Sequence, residues 1–377
     1  MRRVALVLLG VLAWAEPAAA QGSSFSLRGL GWAGRPVTAR TAGVAGAFSE
    51  FDPAMGMNPA ALARWRAVGG WAVGAPTRRQ FEGPLGNRTN ETARFPLMGF
   101  AAPTPYKVVI GFSISDYLDR SYAIALRDTI NIRGSNEPYT DAARSVGGVS
   151  DVQLAASYRL GPKLLAGAGL HFYTGSTSLS VQRSFDNTSF LSIAVNSNTD
   201  FRAIGGSFGL LAQPLRRVEV GASVKLNSSL RSQIANGVTA FTPMPLELGG
   251  GLRLEVVPGV LLAGTVQWAN WSRADSALRA GTGDGARDTW AVGVGAEVQR
   301  VTLIKLRTPL RFGYRERQLP FLSLGQPLDE HAWSGGFGFQ FAQDHAAVDI
   351  AYEDGSRSAG TTHEKFQTVF FGVTVRP

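Results

Sequence analysis

The chain has no cysteine. That removes disulfide frameworks, thiolate nucleophiles, Cys-ligated zinc and the lipidated cysteine of a bacterial lipoprotein. After the first two dozen residues it also has no run of about 20 apolar residues, so no segment there is long enough to cross a bilayer as a helix. No stretch carries five or more like charges, which argues against a nucleic-acid footprint even though the net charge is +9. Histidine is scarce, with four in the chain. His171, His331, His345 and His363 show no metal-ligand spacing, and neither a His-Glu-x-x-His nor a Gly-x-Ser-x-Gly motif occurs. Composition and motifs therefore point to a non-enzyme with no metal and no cofactor.

What is present is period-two alternation. Val218, Val220, Ala222, Val224 and Leu226 fall on one side of an extended segment, and Glu219, Gly221, Ser223 and Lys225 on the other. The pattern returns at 246–254, 290–298 and 348–352. Successive side chains leave opposite faces of a strand, so this is the signature of many half-apolar strands. Mean hydropathy is +0.01, the value expected when only the outward half of each strand is apolar.

The first residues read as a secretory leader. Arg2 and Arg3 precede an apolar stretch from Val4 to Trp14, and Ala18-Ala19-Ala20 offers a small-residue cleavage site. The alternative, a membrane anchor, needs a longer apolar run. Cleavage after residue 20 removes two arginines and one glutamate, lowering the net charge from +9 to +8. The remaining basic residues are scattered and suit contact with anionic lipopolysaccharide, capture of acidic solutes, or no specific role.

Strand-like segments follow one another from residue 67. Fifteen candidates can be drawn: 67–75, 95–103, 106–116, 119–131, 150–159, 163–175, 201–213, 217–228, 245–255, 259–269, 288–299, 305–316, 331–342, 346–354 and 366–376. Bacterial barrels have even strand counts, so about fourteen is expected. Gly161-Pro162, Gln213-Pro214 and Pro258-Gly259 mark tight turns. Longer polar segments such as 132–149, 184–200 and 270–287 alternate with them, as external loops alternate with periplasmic turns. The sequence Gly281-Thr282-Gly283-Asp284-Gly285 lies in one such segment and reads as a flexible external loop. Trp268, Trp271, Trp290, Trp333 and Tyr352 fall near strand ends, where an interfacial girdle would place them. The expected fold is an all-β, transmembrane antiparallel β-barrel of about 14 strands with an N-terminal hatch or plug of short helices. The expected division is a signal peptide over 1–20, a hatch over 21–66 and the barrel over 67–377.

The hatch expectation rests on composition. Residues 22–66 are rich in Gly and Ala, including Gly43 and Gly46. Asn58-Pro59-Ala60 reads as a helix start, Asn58 as N-cap and Pro59 at the first helical position. Within the candidate strand 305–316 and just beyond it, Lys305, Arg307, Arg311, Arg315 and Arg317 share odd positions, while Leu306, Leu310, Phe312 and Tyr314 take even ones. Arg or Lys facing lipid at the midplane costs roughly 2–4 kcal/mol, so the basic set should face the lumen. There it either grips a ligand carboxylate or pairs with hatch acids such as Glu50 and Asp52.

The N-terminal segment resembles the FadL/TodX family of outer-membrane hydrophobic-compound transporters. The resemblance is carried by residues 40–48 (Arg-Thr-Ala-Gly-Val-Ala-Gly-Ala-Phe), Asp52 and Asn58-Pro59-Ala60, with echoes at 245–252, 266–272 and 310–315. It implies a fourteen-stranded barrel blocked by an N-terminal hatch in a Gram-negative-type outer membrane, reached by Sec export and closed by the barrel-assembly machinery. It implies passive passage of a hydrophobic or amphiphilic small molecule, such as a long-chain fatty acid, with hatch residues Gly43, Gly46, Asn58, Pro59 and Ala60 gating the path. Outer-membrane lipids and lipopolysaccharide are the remaining expected partners. Two other readings stay open: a barrel serving as an accessory or shuttle in protein secretion, or as a structural outer-membrane protein; and a soluble, secreted all-β protein.

Overall fold

The computed structural model describes residues 22–54, 56–83, 86–234, 237–303, 306–341 and 345–376. The leader read over 1–20 lies outside them, as does Lys305.

Fourteen antiparallel strands close into a barrel. The first seven are β1 (Gly69–Gly74, continued by Thr77–Glu82), β2 (Arg88–Thr92 and Leu97–Pro103), β3 (Val108–Asp119 and Tyr122–Ile132), β4 (Ser135–Arg159), β5 (Leu164–Phe185), β6 (Ile193–Leu215) and β7 (Val218–Asn227 and Leu230–Ile234). The rest are β8 (Thr239–Thr242 and Glu247–Val257), β9 (Val260–Ala269), β10 (Thr289–Val298), β11 (Leu310–Ser323), β12 (Gln326–Phe341), β13 (Ala346–Ala359) and β14 (Thr362–Val375). Each strand pairs with the next. The cylinder closes where β14 meets β1, with Gly70 opposite Val375 and Gly74 opposite Phe371.

Alternation decides which way each side chain points. On β10, Trp290, Val292 and Val294 are about half exposed on the outer surface, while Gly293 and Glu297 are buried inside. Leu248 and Leu252 on β8 and Val220 on β7 continue the outer apolar band. Trp290 packs near Trp268, and Tyr314 near Trp333 with ring centroids 4.5 Å apart, forming part of an aromatic girdle. Trp271 departs from the girdle expectation. It is buried in the lumen mouth on a short 3-10 turn (Trp271–Ala274), against Tyr117 and Phe321.

Two further expectations are corrected. Several long polar segments are not loops: β4, β5 and β6 run for 25, 22 and 23 residues and meet in short connections. At about 3.3 Å per residue, β4 is roughly 80 Å long, far more than a band ~25 Å tall requires. Above the band the ladder continues in water, where an apolar outer face is no longer needed, so alternation fades while hydrogen bonding persists. Likewise, candidates 106–116 and 119–131 are two pieces of one strand, β3, broken at Arg120–Ser121. That accounts for fifteen candidates against fourteen strands.

The segment 270–288 also folds more tightly than a flexible loop. It forms helix α2 (Asp275–Thr282), whose Leu278 packs into the lumen mouth with Trp271 and Phe321. Gly283, at φ +76°, ends the helix in the left-handed region. Asp284 accepts a hydrogen bond from the Gly29 amide at 3.0 Å.

Candidate functional site: hatch, lumen cavity and wall break

Residues 22–66 run down the lumen. Helix α1 (Ala39–Gly43) begins at Thr38, whose hydroxyl accepts from the Thr41 amide at 3.0 Å and donates to Asp52 at 2.6 Å. Thr41 also donates to Asp52, at 2.7 Å. One buried carboxylate thus ties the helix to the turn that follows it. Ala45 (φ +53°) and Gly46 (φ +89°) reverse the chain, and the Gly46 carbonyl accepts from Thr265 of β9 at 3.0 Å. Close approach demands small residues on both sides: a Cβ on Gly313 of β11 would sit 2.3 Å from the Val44 carbonyl carbon.

Asn58 is the junction between hatch and wall. Its Oδ1 caps the 3-10 turn Pro59–Arg64 by accepting from the Ala60 amide at 3.0 Å. Its Nδ2 donates to Glu50 at 3.0 Å, and approaches the Leu210 and Ala222 carbonyls at 3.2 and 3.3 Å. Glu50 is fully buried and accepts a second hydrogen bond from Ser223 at 2.9 Å. Burial pushes its carboxyl above the usual range, opposed by those two donors. Gly43, Gly46, Asn58, Pro59 and Ala60 therefore all lie inside the barrel, and Asn58 alone bridges hatch backbone, hatch acid and wall.

The basic residues of 305–317 do not form one ladder. Arg307 is exposed on a separate small hairpin pairing Thr302–Leu303 with Leu306–Arg307. Strand β11 begins only at Leu310. Arg311, Arg315 and Arg317 do point inward. Arg311 binds Glu297 at 2.7 Å and Asp349 at 2.6 Å. Arg315 binds Glu353 at 2.9 Å and also Glu330, which Arg317 (3.1 Å) and Arg357 share. Arg35 of the hatch reaches Glu353 at 2.6 Å. The partners are wall acids on β10, β12 and β13 rather than Glu50 and Asp52. Removing a guanidinium from such a buried set to bind a ligand would leave uncompensated charge, so these arginines tie wall strands together, and Arg35 joins the hatch to the same set through Glu353.

Above the hatch lies a cavity of about 160 Å³ lined by Tyr117, Asp151, His171, Lys225, Glu247 and Trp271. A second, of about 140 Å³, shares several of these residues and reaches Ser115 and Asp116 on β3. The lining mixes rings and charges. Tyr117 lies 4.7 Å from Tyr173, and Lys225 sits 3.1 Å from Glu247 with its ammonium 5.2 Å from the Tyr117 ring centre.

This cavity abuts a discontinuity in the wall. The ladder between β2 and β3 runs from Pro103–Val109 to Leu97–Ser115 and stops just above, where the Asp116 amide meets the Pro96 carbonyl. Higher up, Arg88–Thr92 pairs only with β1 and Tyr122–Ile132 only with β4. Among the described residues no ladder bond joins those two pieces. The N-terminal segment fills the start of the break: Trp32 pairs with Asp119, Ala33 with Leu118, and the Gly34 amide donates to the Tyr117 carbonyl at 2.8 Å.

Sequence reasoning missed a buried row across β4, β5 and β6. His171 Nδ1 lies 2.9 Å from both Asp151 oxygens, and Nε2 lies 2.9 Å from Ser207 Oγ. With Asp151 ionised, Nδ1–H donates to it and Ser207 donates to Nε2. The order matches a nucleophile–base–acid relay, but Ser207 is 1% exposed and does not line the cavity. The row satisfies three buried polar groups and ties adjacent strands. Residues 20 and 36 positions apart gave no local signal.

A protein-family model described as BamG matches residues 1–308. No curated protein matches. Among solved structures, a FadL homologue of Pseudomonas aeruginosa is similar at 14% identity and a TM-score of 0.62, over 92% of this chain and 99% of that one. The toluene transporter TodX of P. putida aligns at 13% identity and 0.58, over 90% and 98%. The toluene transporter TbuX of Ralstonia pickettii aligns at 14% and 0.51, over 94% and 98%. At such identities the likeness is one of fold: the chain is built as a FadL-type outer-membrane barrel.

Proposed function

The chain belongs to the BamG family, and from that premise and its FadL-type fold we propose that it is an outer-membrane passive channel for small hydrophobic or amphiphilic molecules. One observation carries this reading: the cavity above the hatch adjoins the point where the β2–β3 ladder ends. A compound entering from outside can rest against Tyr117 and Trp271 and leave sideways through the break, without passing the ion-paired floor. The size of the cavity bears on the ligand. An apolar cavity of about 150 Å³ holds benzene, so spaces of about 160 and 140 Å³ favour a single-ring amphiphile over a long alkyl chain. The charged lining of Lys225, Asp151 and Glu247 favours a ligand with a polar group. Gating belongs to the hatch and to the N-terminal strap, the Trp32–Gly34 segment that lies along β3 at the break. The leader over 1–20 implies Sec export, with insertion by the barrel-assembly machinery.

Locking the strap tests this. Ala33 and Leu118 are direct cross-strand partners, close enough for a disulfide, and the chain has no other cysteine. Ala33→Cys with Leu118→Cys should reduce uptake of a phenolic probe into proteoliposomes at least tenfold when oxidised, with recovery on reduction. Equal uptake in both states would reject the lateral route.

The family match favours a second reading, an accessory to outer-membrane protein assembly, at which the name BamG hints. On that reading a deletion strain loses folded outer-membrane barrels, while proteoliposomes of the purified protein take up no probe. Normal levels of other barrels in the deletion strain would count against it.

A further inference from the structure

A larger cavity lies at the other end of the lumen, under the hatch. It measures about 610 Å³, within the range of ligand-binding sites, and lies among the tight turns that face the periplasm in an outer-membrane barrel. Its floor and walls contain acids, but these have partners. Glu297 accepts from Arg40 at 2.7 and 2.9 Å and from Arg311 at 2.7 Å. Asp349 accepts from Arg311 at 2.6 Å, Asp52 from two threonine hydroxyls, and Glu255 from the Gly259 amide at 3.0 Å.

Its rim is different. Arg300, just past the end of β10, and Arg307, on the small hairpin, both line the cavity and are exposed. Neither side chain has a hydrogen bond or ion pair among the described residues; Arg307 is held only through its backbone, opposite Thr302. Arg300 is held in place by shape: its side chain crosses Gly259, where a Cβ would sit 2.4 Å from Arg300 Cγ and where φ is +88°. The mouth therefore presents two guanidiniums that have no partner among the described residues, over a floor whose acids are already matched. The two come from different elements, so they suit carboxylates that are spaced along a chain. Bilayer phosphates lie outside the cylinder wall, whereas this space is inside it.

We propose that this vestibule docks a carboxylate-rich peptide segment of a periplasmic protein, with Arg300 and Arg307 each gripping a carboxylate. Guanidinium and carboxylate meet as two parallel N–H···O bonds, which supplies orientation as well as charge. The site is separate from the cavity above the hatch and stands whether or not that cavity conducts.

The test uses the full chain in phosphatidylcholine nanodiscs and a fluorescent Glu/Asp-rich octapeptide, read by anisotropy. The parent should bind this peptide at least tenfold tighter than a Lys-rich counterpart, and more weakly as salt rises. Arg300→Glu with Arg307→Glu should lose at least tenfold toward the acidic peptide and gain affinity for the Lys-rich one. Both side chains are exposed, so heat-modifiable migration should be unchanged, which separates lost binding from misfolding. Equal binding of the two peptides by the parent, full affinity in the double variant, or displacement of the peptide by succinate at matched carboxylate concentration would each overturn the proposal.

Discussion

Asn58→Ala tests how the hatch is held. The substitution removes an N-cap, which is worth about 1 kcal/mol. It also removes a donor to a buried carboxylate, worth about 1.5–3 kcal/mol. The Leu210 and Ala222 carbonyls lie at longer range and contribute less. About 3 kcal/mol of hatch docking should therefore be lost. At 1.4 kcal/mol per factor of ten, that is roughly a hundredfold rise in hatch opening. Hydrogen exchange in nanodiscs reads it directly. Amides of Ala60 and Ala61, both fully buried beside the cap, should lose about a hundredfold protection, while Val292 and Val294 on β10 should be unaffected. Asn58→Asp keeps the cap acceptor but sets a second carboxylate against Glu50, and should lose at least as much. Protection of Ala60 and Ala61 within threefold of the parent in either variant would refute the reasoning.

Other outcomes follow from the same geometry. Because burial raises the Glu50 carboxyl above its unfolded value, its contribution to docking is complete below the unfolded value of about 4.3 and is lost as pH rises through the folded one. Hatch protection should thus fall with rising pH in the parent, and Glu50→Gln should flatten the profile. Gly313→Ala places a methyl against the Val44 backbone and should cost about 1–3 kcal/mol, visible as faster proteolysis of the hatch in an intact barrel. Val294→Arg, outward in the apolar band, should destabilise the barrel by about 2–4 kcal/mol in denaturant titrations from vesicles. Arg315→Gln strands part of the charge on Glu330 and Glu353 and should cost about 3 kcal/mol by the same titration.

The barrel was legible because one rule repeats: Val218–Leu226 and Trp290–Val298 alternate, and both strands carry that alternation to opposite sides of the wall. The helical start at Asn58-Pro59 within the hatch was legible because a cap and a helix-compatible proline are local signals. The break in β3 was visible only as one strand too many, since Asp119–Tyr122 keeps strand-like residues on both sides of the kink. The partners of the basic set were out of reach, because Glu330 on β12 gathers Arg315 and Arg317 from β11 and Arg357 from β13. The same holds for Asp151, His171 and Ser207. Trp271 reads as a girdle residue in sequence because it follows Trp268 closely. The chain turns inward after Ala269 and carries the ring into the lumen mouth.

The central claim is that the alternating apolar residues face acyl chains around a closed cylinder. Because the chain has no cysteine, single nitroxide labels can be placed at will and their collision rates with oxygen and with a water-soluble nickel chelate compared in lipid vesicles. Labels at Leu248, Leu252, Val292 and Val294 should favour oxygen, and labels at Ser223, Glu247 and Gln267 should not. Chelate access at the first four, or no difference between the two sets, would contradict the account.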